Sequence, residues 1–63
     1  MNLANIKNLC KNEGITLAEL ERKTNIGNGV IARWATGNPT VYNLKKVADH
    51  FGVTIDSLLS DAV

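Results

Sequence analysis

Two stretches of the chain follow one pattern: an apolar residue, a threonine, and a second apolar residue five places after the first. They are Ile15-Thr16 with Leu20 and Val53-Thr54 with Leu58, and the same interval separates Ile26 from Ile31. This is the spacing of a hydrophobic staple, in which the residue before a helix packs on its first turn. Thr16-Leu17-Ala18-Glu19 adds a capping box, where hydroxyl and carboxylate each satisfy an otherwise orphaned amide. A chain of 63 residues with so many helix starts builds short helices and must pack them together. Apolar side chains have to do this alone. Cys10 is the one cysteine, so no internal disulfide forms, and with His50 the one histidine there is no structural zinc set. A domain of this size buries only about 60% of the surface its unfolded chain exposes, and 44% hydrophobic residues supply that core.

The remaining apolar spacing is helical as well. Leu3, Ile6, Leu9 and Cys10 mark a first helix, with Asn2 as its N-cap and Gly14 just past its end. The second runs from the Thr16 cap to about Lys23. A turn, Thr24 to Gly27, leads to a third helix over about 28–36, which Gly37 ends in the left-handed conformation. Asn38-Pro39 reads as a loop. Thr40 caps a fourth helix with Leu44, Val47, Ala48 and Phe51 on its inner face and Gly52 at its end. Thr54 caps a fifth carrying Ile55, Leu58 and Leu59. No β-alternation lasts long enough for a strand. The expected fold is therefore all-α, five helices in one domain over 1–63.

Net charge is +1, but it is unevenly spread. Arg22, Lys23, Arg33, Lys45 and Lys46 fall between Arg22 and Ala48 with no acidic residue among them, while residues 1–21 carry −1 and residues 47–63 carry −3. A positive middle third is a footprint that suits a polyanion, although solvated lysines that serve solubility give the same signal. The start Met1-Asn2-Leu3-Ala4-Asn5 has neither a basic nor an apolar leader region. No apolar run approaches the roughly 20 residues a membrane span needs. With a single unpaired cysteine, this makes a cytoplasmic location the expectation.

The third helix carries the functional signal. On a wheel of about 100° per residue, Val30, Ile31 and Trp34 share an inward face. Gly29, Ala32, Arg33 and Thr36 share the opposite face, with Asn28 at its edge. A merely solvated helix face is normally built from strong helix formers such as Lys and Glu. Here small residues allow a close approach to the backbone. Asn pairs in two places with adenine, Arg with guanine, and an alanine methyl meets the thymine methyl. A capped helix, a short turn and such a helix form the helix-turn-helix plan, whose second helix enters the major groove. The helix starts at Thr16 and Thr40 offer free amides and a positive dipole end to phosphate oxygens.

The run ITLAELERKTNIGNGVIARWATGNPTVYNLKKVADHFGVTIDSLL resembles the Cro/repressor-type (Xre) helix-turn-helix domain of phage and bacterial regulators. Leu20, Ile26, Ile31, Trp34, Gly37, Pro39, Leu44, Ala48, Phe51, Gly52-Val53 and Leu58-Leu59 stand where that pattern expects them. The resemblance implies a five-helix, phage-repressor-like fold with the helix-turn-helix unit over about 16–36. It also implies sequence-specific binding to double-stranded DNA, usually as a two-fold homodimer. The base-reading positions it implies fall on Asn28, Gly29, Ala32 and Arg33. The phosphate-contacting positions fall near Thr16 and Leu17 and on Asn38, Thr40 and Asn43. Three positions depart from the pattern. Leu17 stands where many members have Gln, Gly27 where Ser is a common cap, and Glu21 where a small residue often packs against the third helix.

The alternative on the same fold is a protein-interaction module, an antitoxin-like or anti-repressor partner with weak or no DNA binding. Catalysis finds no support, since neither His50 nor Cys10 has an orienting partner visible in the sequence. No cofactor, metal or small-molecule motif is present. Trp34 reads as core, Cys10 as a half-buried small hydrophobe, His50 as a helix-surface residue, and Lys45 and Lys46 as solvent-facing lysines without a partner. For a dimer contact the C-terminal helix, with Ile55, Leu58, Leu59 and Val63, is preferred over the N-terminal one.

Overall fold

The way the helices end explains how the chain turns. In a computed structural model, which describes residues 1–59, the elements are α1 (Ala4–Glu13), α2 (Leu17–Thr24), α3 (Val30–Arg33), α4 (Val41–Phe51) and α5 (Ile55–Leu59). The described residues contain no strand, so the fold is all-α with five helices. α1, α2 and α4 close alike. Gly14 (φ +75°), Asn25 (φ +58°) and Gly52 (φ +68°) each take the left-handed conformation. The next amide then reaches back across the last turn: Ile15 N–H to the Cys10 carbonyl at 3.0 Å, Ile26 to Glu21 at 2.8 Å, and Val53 to Ala48 at 3.0 Å. This is the Schellman closure, in which backward bonds satisfy carbonyls the helix leaves orphaned. Its apolar residues, Ile15, Ile26 and Val53, are the same three that open the staple intervals. At α2 and α5 one side chain thus ends one helix and seats the next, whereas α3 is capped at Gly29, so Ile26 and Ile31 do not hold the staple positions that their spacing suggests.

The starts follow from side-chain chemistry. The Thr16 hydroxyl accepts from Glu19 N–H at 3.1 Å, and the Glu19 carboxylate accepts from Thr16 N–H at 3.1 Å, completing the capping box. Thr40 accepts from Asn43 N–H at 3.2 Å and Thr54 from Ser57 N–H at 3.1 Å. At α1 the expected position shifts. Leu3 occupies the cap without a side-chain bond, and Asn2 Oδ1 accepts from Ala4 N–H at 2.8 Å.

The core unites Leu3, Ile6 and Cys10 from α1, Leu20 from α2, Ile26 from the turn, Ile31 and Trp34 around α3, Leu44, Val47 and Ala48 from α4, and Leu58 from α5. α1 packs on α2 and α5, α4 packs on α2 and α5, and α3 leans on α2. Polar ties close the seams. His50 Nε2 lies 2.9 Å from Glu13 Oε2, joining the ends of α4 and α1, and its ring meets Phe51 edge-on at 4.9 Å. The amino group of Met1 donates to the Trp34 carbonyl at 2.7 Å.

Several expectations need correcting. Cys10 is buried, not half-buried. Leu58 is fully buried in the core, where it cannot serve a dimer contact, and Val63 lies outside the described residues. The lysines of α4 have partners: Lys45 pairs with Asp49 at 3.4 Å, and Lys46 donates to the Asn25 carbonyl at 3.4 Å while lying 4.7 Å from the centre of the Tyr42 ring. Gly37 does not adopt a left-handed conformation. Its N–H donates to the Arg33 carbonyl at 3.0 Å, and a Cβ there would stand 3.3 Å from that same oxygen. Glycine serves this position by allowing close approach to a carbonyl.

Two outcomes test this packing. Trp34 is buried among apolar side chains, so Trp34→Ala is expected to cost about 3–5 kcal/mol, most of the stability a small domain has. Thermal unfolding followed by circular dichroism checks it, and an unchanged midpoint would place Trp34 at the surface. Burial first, and the Glu13 carboxylate second, push the Cys10 thiol above its ordinary range. The thiolate is the reactive form, so a disulfide exchange reagent should label Cys10 in the folded protein far more slowly than in the urea-unfolded chain. Equal rates would contradict the burial.

Candidate nucleic-acid interface

The α2–α3 unit is built around a buried acid. On α2 the inward stripe runs Leu17, Leu20, Glu21 and Thr24, so the helical period carries a carboxylate into the interior. Glu21 is only 4% exposed. A buried carboxylate without partners is costly, and here both oxygens are satisfied by backbone. Oε1 accepts from Gly29 N–H and Oε2 from Ile31 N–H, each at 2.9 Å. These amides lie at the start of α3, where the dipole favours negative charge. The Glu21 carbonyl meanwhile accepts from Ile26 N–H at 2.8 Å. One residue therefore ties both ends of the turn.

The turn itself is forced by conformation. Asn25 and Gly29 both have positive φ, +58° and +79°. A residue at φ +79° cannot belong to a right-handed helix, so α3 begins at Val30 rather than at 28. Past Arg33 the bonds become three-residue steps, Trp34 to Ile31 at 3.0 Å, Ala35 to Ala32 at 3.4 Å and Thr36 to Arg33 at 3.2 Å. The expected helix over 28–36 is thus four α-helical residues extended by a tightened turn. Val30 is half-buried, while Ile31 and Trp34 are buried as the wheel requires.

The proposed contact residues fall in three groups. Asn28, Ala32 and Arg33 are exposed and Gly29 is half-buried, within six consecutive residues of the turn and α3. Asn28 lies before the helix and Gly29 at its cap. Thr36 continues this exposed side. Thr16 is exposed at the start of α2, but its N–H is taken by Glu19. Leu17 is half-buried against the core and offers a phosphate only its amide. Asn38 and Thr40 are exposed before α4 and Asn43 is half-buried in its first turn. α3 and α4 both pack on α2, so the three groups sit on α2 or on elements that lean on it.

The positive middle third divides once partners are known. Lys45 is paired with Asp49 and Lys46 is tied to Asn25. Arg22, Lys23 and Arg33 are exposed and have no ion-pair partner among the described residues. Two features escaped the sequence reading. Glu21 stands on the inward stripe of α2, but its partners are backbone amides, which carry no signal in the sequence. Tyr42 and Lys46 stand four places apart on α4, a spacing that brings side chains together, whereas the Lys46–Asn25 contact has no signal in spacing.

Gly29 provides a direct test of this geometry. No atom crowds a Cβ there, but the backbone conformation is left-handed, which costs a residue with a side chain about 1–2 kcal/mol. Gly29→Ala should lose that amount in urea unfolding, and an unchanged midpoint would contradict the positive φ.

Comparison with known families adds to this geometry. The helix-turn-helix family model HTH_3 matches residues 6–58, from α1 into α5. Neither a curated protein nor a solved structure matched the chain. No helix of the described residues is long and apolar enough to cross a membrane. With a family match over most of its length, and with the all-α fold and capped α2–α3 unit that the Xre-type pattern requires, the chain belongs to the HTH_3 family of DNA-binding helix-turn-helix regulators.

Proposed function

We propose that the protein is a sequence-specific transcriptional regulator of the Cro/repressor type, acting in the cytoplasm, that lays α3 in the major groove of duplex DNA. The observation that carries this reading is the two-sided character of α3. Ile31 and Trp34 are sealed in the core, while Ala32 and Arg33 on α3 itself and Asn28 in the turn before it are exposed. Arg33 donates to the O6 and N7 of a guanine, Asn28 pairs with an adenine edge, and Ala32 meets a thymine methyl. Gly29 allows the backbone close to the DNA. The phosphates on either side meet the start of α2, through Thr16 and the Leu17 amide, and the Asn38, Thr40 and Asn43 segment before and within α4. These contacts fix register, and the α3 side chains supply sequence.

A single domain reaches few phosphates, so affinity is gained by two copies on half-sites about 34 Å apart. The exposure of Leu59, at 47%, and of the half-buried Ile55 supports α5 as the pairing face. On its best duplex, Arg33→Ala should lose about 1–3 kcal/mol of discrimination at one base pair. The check is a binding titration against the site and its single-base variants. Unchanged affinity for the best site would remove Arg33 from base reading.

A further inference from the structure

We infer that Glu21 is a positioning residue for DNA recognition: its buried carboxylate, bonded to the Gly29 and Ile31 amides, sets the pose from which α3 presents Asn28, Ala32 and Arg33 to the bases. This rests on the DNA-binding reading and adds a residue that touches no DNA. α3 has four helical residues, far too few to hold its own geometry in water. Its direction is therefore set by what its ends are tied to. Gly29, at its cap, has no side chain to make a cap bond; Val30 N–H turns to the Gly27 carbonyl at 3.1 Å, and the Gly29 and Ile31 amides are held from α2. Glu21 Oε1 and Oε2 take one each at 2.9 Å. Two bonds to one planar carboxylate fix orientation as well as distance.

The same arrangement decides what α3 offers to DNA. A helix start is ordinarily an anion site. Here an internal anion already fills it, so the amides of Gly29 and Ile31 are not available to a phosphate. Base reading must then come from side chains projected by a correctly angled helix, and displacements of about 1 Å spoil such contacts. Disturbing Glu21 should harm discrimination between sequences more than general attraction to DNA, because the cationic residues Arg22, Lys23 and Arg33 keep their charge.

The test uses Glu21→Gln, which keeps the shape but turns an NH₂ group toward one of the two amides. Affinities for the best selected duplex and for a scrambled one are measured at fixed salt, with folding verified by circular dichroism. Expected is a fall of about tenfold or more in the specific-to-scrambled ratio, roughly the worth of one base pair, with scrambled affinity held within about twofold because phosphate contacts supply it. In an Arg33→Ala background the same substitution should lower the ratio by less than about twofold, since residues acting through one element are not additive. An equal loss on both duplexes, an unchanged ratio, or full additivity with Arg33→Ala would overturn the inference. A wild-type ratio near one would instead refute the DNA-binding reading itself. Should E21Q lose its fold, amide hydrogen exchange in the wild type is decisive. Gly29 N–H, bonded by Glu21, should exchange at least about tenfold more slowly than Asn28 N–H just before it. Equal exchange would overturn the inference.

Discussion

The α2–α3 joint depends on one residue bonded at both ends. The Glu21 carbonyl takes the Ile26 amide and its carboxylate takes the Gly29 and Ile31 amides. Between these anchors Asn25 and Gly29 reverse the chain through positive φ, and buried Ile26 holds the turn to the core. Remove the carboxylate and the Gly29 and Ile31 amides lose their acceptors at the start of α3. Such a loss costs more than the net worth of the bonds themselves, because unmet buried groups carry their full desolvation penalty. Every other element serves this unit. α1 and α4 pack on α2 from outside, and Lys46 reaches from α4 to the Asn25 carbonyl.

Around that joint the molecule is assembled by repetition. Three left-handed residues, Gly14, Asn25 and Gly52, end three helices, the apolar residue after each completes the ending, and Ile15 and Val53 also seat the next start. This economy lets the described residues form five helices with a single cysteine and therefore no internal disulfide.

The same repetition explains what the sequence revealed. Glycine followed by an isoleucine or valine and then a threonine is a local signal at two joints, and it marks the ends of α1 and α4 and the starts of α2 and α5. Signals were lost where tertiary contacts overrode local pattern. At α3 the wheel sorted Ile31 and Trp34 from Ala32 and Arg33 correctly, since burial obeys the helical period across the whole turn. It overran the helix itself because periodicity does not reveal that Gly29 is left-handed and Gly37 is not. Glu21 stayed opaque for another reason: its partners are amides, and amides leave no mark in a sequence. The charge count failed for Lys46 for a related cause, its backbone partner, whereas Lys45 and Asp49 stand at a legible four-residue interval. Lys45 and Lys46 counted toward a positive surface until a carboxylate and a carbonyl were found beside them. Arg22, Lys23 and Arg33 are exposed without an ion-pair partner among the described residues, and Lys46 keeps its charge beside a neutral carbonyl.

The most direct test of the central claim, that this α2–α3 unit reads duplex DNA, is selection from a random duplex pool at near-physiological salt, followed by sequencing of the bound fraction. The account predicts an enriched motif with two-fold symmetry and half-sites one helical turn apart. No enrichment by protein shown to be folded would contradict it, and the exposed side of α3 would then belong to a protein partner.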